Sequence, residues 1–62
     1  MDFDLLFEYI NEVVERYKKA NSEVEKIRNY NIILGIKMAI AHSTEANVNF
    51  YYKKVEDILN GL

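Results

Sequence analysis

The residues able to do chemistry in this chain are few and poorly clustered. His42 is the only imidazole in 62 residues, with Ser43 and Thr44 beside it and Glu45 three positions on. On a helix, a His and a Glu three apart share a face, so they could orient a ring or share a metal ion. One His and one Glu do not complete a metal site. Ser43 and Thr44 lack a base–orienter pair or an oxyanion loop, and helix capping explains them better. Glu56 and Asp57 are adjacent. They point about 100° apart on a helix, which does not suit a carboxylate pair. The chain has no Cys and no glycine-rich phosphate loop. The expectation is a protein that is not an enzyme, with no catalytic residue, cofactor, metal or small-molecule substrate.

Two charged arrays point instead to binding. Asp4, Glu8, Glu12 and Glu15 form an acidic row. Such a row could dock a basic protein, although a solvated face that also favours the helix dipole is the simpler reading. Arg16, Lys18, Lys19, Lys26 and Arg28 form a basic patch around the first expected turn. It could touch phosphate. The net charge of −2 opposes general affinity for nucleic acid or anionic membrane. Five Tyr and three Phe make the chain aromatic-rich. Most fall on expected core faces; Phe50 and Leu5 do not, and both are candidate partner contacts.

The elements that position these groups are helical throughout. There is no Pro, and there are only two Gly. Helix 1 is expected over 3–20, capped by Asp2, with Phe3, Leu6, Phe7, Ile10, Val13, Val14 and Tyr17 on one arc. Glu12–Arg16 and Glu15–Lys19 have favourable i,i+4 spacing. Ser22 and Glu25 have capping-box spacing and start helix 2, over 23–42. Ser43 or Thr44 would cap helix 3, over 45–60, and Gly61 would stop it. Its apolar face would hold Val48, Tyr51, Tyr52, Val55, Ile58, Leu59 and Leu62. A continuous three–four alternation also runs through the chain, with Asn31 and Glu45 its polar members. That pattern fits coiled-coil packing. The fold class is therefore all-α: a three-helix bundle, or a hairpin with a second helix over 23–60, or at the extreme one unbroken helix.

Helix 2 is apolar on two sides. One stripe holds Ile27, Leu34, Met38 and Ala41; the other holds Ile32, Ile33, Ile36 and Ile40. Gly35 and Ala39, four apart, would admit a neighbouring backbone closely. So small a chain buries only about 60% of its unfolded surface, and it has no disulfide to staple it. Two neighbouring helices are expected to leave part of helix 2 uncovered. The isoleucine stripe with Gly35 and Ala39 is accordingly expected to be the interface of a homodimer or higher oligomer. Asn31, on the heptad line taken as core-facing, could fix register.

The functional expectation is a small protein–protein interaction module, a regulator or inhibitor binding a larger protein stoichiometrically. Alternatives are a nucleic-acid-associated regulator using the Arg16–Arg28 patch and a structural subunit of a larger assembly. Heavy use of Asn, Lys, Ile and Tyr fits an AT-rich bacterial or phage genome. The acidic Met1-Asp2-Phe3-Asp4 start is unlike a basic leader, and the longest apolar run, Ile32 to Ala41, is too short for a membrane span. Both favour a cytoplasmic location.

Overall fold

In the computed structural model, which describes residues 2–62, Asp2 opens the chain by capping the first helix. Its Oδ1 accepts from the backbone N–H groups of Asp4 and Leu5 at 3.1 and 3.2 Å. Two N–H groups that the first turn would leave unpaired are thereby satisfied. Helix α1 runs Phe3–Lys19 and ends where Ala20 turns extended. Of the two expected ion pairs, Glu12–Arg16 closes at 3.9 Å and Glu15–Lys19 does not.

Ser22 caps α2, Glu23–Ala41, by accepting from the Glu25 N–H at 3.2 Å. The Glu25 carboxylate does not reach back to complete the capping box; it pairs with Arg28 at 3.6 Å. Helix α3 is Val48–Asn60. The fold is thus an all-α three-helix bundle, with no strand among the described residues.

The hairpin and single-helix alternatives fall at residues 42–47. The Ser43 N–H donates to the Ile40 carbonyl, and Ser43 Oγ accepts from the Glu45 N–H at 3.2 Å. A serine side chain competes with the helix for backbone groups, and here Ser43 does so. Neither Ser43 nor Thr44 caps α3. Asn47 stands at that position with φ 67°, a left-handed conformation that Asn accepts more readily than most residues. Gly61 ends α3 in right-handed geometry, its N–H bonded to Asp57 and Ile58 carbonyls.

The three helices alternate in direction. Phe3 at the start of α1 stacks on Tyr51 near the start of α3, with ring centroids 3.9 Å apart and planes 9° apart. At the opposite end, the Tyr17 hydroxyl donates to the Leu62 carbonyl at 3.4 Å. Helices α1 and α3 are therefore parallel, with α2 antiparallel to both. The core is one cluster: Phe7, Ile10 and Val13 from α1, Ile33 and Ile40 from α2, Val55 and Leu59 from α3. Lys54 lies 4.6 Å from the Phe7 ring centre, and Lys37 lies 5.0 Å from that of Tyr52.

The burial of α2 reverses the expected assignment of its stripes. Ile33 and Ile40 are 0% exposed within the single chain. They cannot also cover a second copy. Ile32 and Ile36 are half-buried and pack against the same core. Gly35 and Ala39 are exposed on the other side. The four isoleucines are drawn inward because α1 and α3 dock on one side of α2, and full burial, reached by Ile33 and Ile40, is worth roughly 1.5–3 kcal/mol per side chain. Asn29 shares this inner face at 6% exposure. It is tolerated because its amide donates to the Glu25 carbonyl at 2.9 Å.

No helix among the described residues is long and apolar enough to cross a membrane.

Candidate functional site

The face of α2 turned away from the core carries Val24, Ile27, Leu34 and Met38, all between 38% and 65% exposed. Asn31 and Ala41, also exposed, complete the row. At about 100° per residue the six span an arc of about 100°, centred about 140° from Ile33 and Ile40. They are the α2 portion of the three–four alternation. That heptad line lies on the outer surface of α2, and Asn31 with it, instead of in the core. Single exposed apolar residues are ordinary. A contiguous row along a helix of 19 residues, about 28 Å long, is not.

Gly35 borders the row. A Cβ built on it meets nothing within 4 Å. Its own chain therefore gives no packing reason for a glycine in mid-helix, where it costs about 1 kcal/mol relative to Ala. What the missing side chain offers is room for something approaching from outside. Glu23 and Arg28, of opposite charge, flank the row at its N-terminal end, and both are exposed.

The other candidate contacts are dispersed. Leu5 is 62% exposed on α1 and Phe50 63% on α3. Phe50 meets Tyr51 edge-on at 5.1 Å and lines a shallow concavity with Lys53, Lys54 and Asp57. Lys53 donates to Asp57 Oδ1 at 2.7 Å, and this bond, reinforced by the attraction of the two charges, raises the lysine pKa. Asp4, Glu8, Glu12 and Glu15 are all exposed along α1. Leu5, three residues before Glu8 and seven before Glu12, shares their exposed side of α1, whereas Phe50 stands apart on α3.

The basic patch is partly answered from within. Arg16 pairs with Glu12, Arg28 with Glu25, and Lys26 lies 5.1 Å from the Tyr17 ring centre. Arg16, Lys19 and Arg28 line an open groove between α1 and α2, but Glu15 and Glu25 line it as well. His42 is exposed at the end of α2.

Sequence reasoning found both stripes of α2 but turned the helix the wrong way round. Val24 was the member of the outer row it did not single out. The signal available for Val24 was its place in the three–four alternation, three residues before Ile27 and seven before Asn31. A scan of protein-family models, a search of curated proteins and a search of solved structures each find no match to this chain.

Proposed function

We propose that this protein is a non-enzymatic helical interaction module, and that the outer row of α2 is its principal binding surface, covered by a second copy of the chain. The observation carrying this reading is the exposed row Val24, Ile27, Leu34 and Met38, lying opposite a core that is already complete. Covering four such side chains contributes favourable free energy in proportion to the apolar area removed from water. The conformational cost to the protomer is small, because the row stands on a helix whose inner face is already fixed by α1 and α3.

Such pairing leaves surfaces of α1 and α3 free. The acidic row and the exposed Leu5 and Phe50 are then available to a larger protein, and a regulator or inhibitor acting stoichiometrically suits a chain of this size. The basic patch supports nucleic-acid binding less well, since three of its five cations already have a partner in the chain.

Light scattering at two concentrations tests self-association. The expected result is twice the chain mass at high-micromolar concentration, and the single-chain mass for Leu34→Glu with its helical circular dichroism intact. A wild-type mass that stays at one chain overturns the reading.

A further inference from the structure

We infer that two copies pair α2 against α2 in parallel and in register, as a short two-stranded coiled coil in which Asn31 faces the partner's Asn31. This rests on the self-association reading above and adds an orientation, a register and a reason for Asn31 and Gly35.

The row Val24, Ile27, Asn31, Leu34, Met38, Ala41 steps by three and four in strict alternation. That is the spacing of a coiled-coil seam, with Val24, Asn31 and Met38 at one kind of layer and Ile27, Leu34 and Ala41 at the other. In a parallel, in-register pair each residue meets its own copy. Asn31 then opposes another amide, which can both donate and accept. In an antiparallel pair centred on the row, Asn31 faces the partner's Leu34. Its amide would lose water and gain no partner, which is unfavourable.

The flanks favour the same arrangement. In a parallel pair the residue before one layer meets the residue five positions further along the partner. Glu23 meets the partner's Arg28, opposite charges on exposed side chains. Tyr30, half-buried against its own core, presents its exposed edge to the partner's Gly35, where the absent Cβ leaves open space. In the antiparallel pair Glu23 would need the partner's Lys37. Arg28 and that lysine are each 3.6 Å from a carboxylate of their own chain, Glu25 and Glu56, but Arg28 is exposed and can turn to a partner, whereas Lys37 is largely buried and lies over Tyr52. His42 meets a cation in either arrangement, the partner's Lys37 when parallel and the partner's Arg28 when antiparallel, and does not separate the two. The occupant that answers the charges, the amide and the open space beside Gly35 together is a second copy, because each feature finds its complement in the same face.

The chain has no cysteine, so an introduced one is unique. Val24→Cys and Ala41→Cys place a thiol at either end of the row, at exposed positions, and circular dichroism verifies each fold. In a glutathione redox buffer each variant alone is expected to form a disulfide dimer. An equimolar mixture should form almost no mixed disulfide, because in the parallel pair the two thiols stand 17 residues, about 25 Å, apart along the seam. Asn31→Leu is expected to tighten association at least tenfold and to let the mixed disulfide appear, because the layer that fixes orientation is gone. A wild type that dimerises while only the mixture cross-links overturns the parallel arrangement and leaves the self-association reading standing. A dimer in which neither the single variants nor the mixture cross-link removes this face as the interface. A wild type that stays monomeric removes both proposals.

Discussion

The two faces of α2 are built from similar residues and do different work. The inner face presents Ile33 and Ile40 to α1 and α3, with Ile32 and Ile36 at its edges. The outer face presents Ile27, Leu34 and Met38 to solvent. Each face also holds one asparagine. Asn29, inside, has its donor bonded to the Glu25 carbonyl. Asn31, outside, stands exposed in the middle of the row. Apolar content alone therefore does not decide what a helix face is for. What decides is whether the chain's own elements reach it.

That contrast can be broken by substitution. The largest expected effect is at Ile33, fully enclosed by its own chain. Ile33→Ala should lower stability by about 2–5 kcal/mol, measured by urea denaturation. For a domain whose total is about 5 kcal/mol, this leaves a large unfolded fraction. Leu34→Ala, one residue further on, should change the dilute protomer by about 0.5 kcal/mol or less. Equal losses at both positions would mean that α2 does not sit as described.

The asparagines offer a second, smaller contrast. Asn29→Asp replaces a buried donor with a charged acceptor facing a carbonyl, and should cost about 1–3 kcal/mol at neutral pH. Asn31→Asp should leave the dilute protomer's melting curve unchanged. The smallest expected effect carries the opposite sign. Gly35→Ala should stabilise the dilute protomer by up to about 1 kcal/mol, since the new methyl meets nothing in the chain and the helix gains propensity. The same variant should associate more weakly by light scattering. A stabilised protomer with undiminished association would show that the glycine serves no contact.

Much of the fold was legible because its signals are local. Asp2 and Ser22 cap where their spacing to the first-turn N–H groups predicts. Helices α1 and α3 each carry one apolar arc, so their inward faces follow from angle alone, and Leu5 and Phe50 fall outside those arcs and are exposed. Two things were not legible. The start of α3 lies in a run of residues that all cap or turn well, and the left-handed Asn47 was chosen over Ser43 and Thr44 by the path the chain must take into α3. The facing of α2 was ambiguous because two stripes of comparable apolarity lie nearly opposite one another. Periodicity measures how such stripes are spaced. It carries no sign that says which one meets α1. The heptad line, read as core, is the free one, and only the docking of α1 and α3 on the isoleucines resolves it.

The clasp between α1 and α3 has a practical consequence. Phe3 is held against Tyr51 at one end of the bundle and Leu62 against Tyr17 at the other. The two ends of the described chain are thus separated by roughly the 25 Å length of a 17-residue helix, on a molecule 38 Å in its longest dimension. Both ends belong to the pair of helices behind α2. Neither Phe3 nor Leu62 therefore stands beside the outward row. A segment bridging Phe3 to Leu62 would have to run the whole height of the bundle.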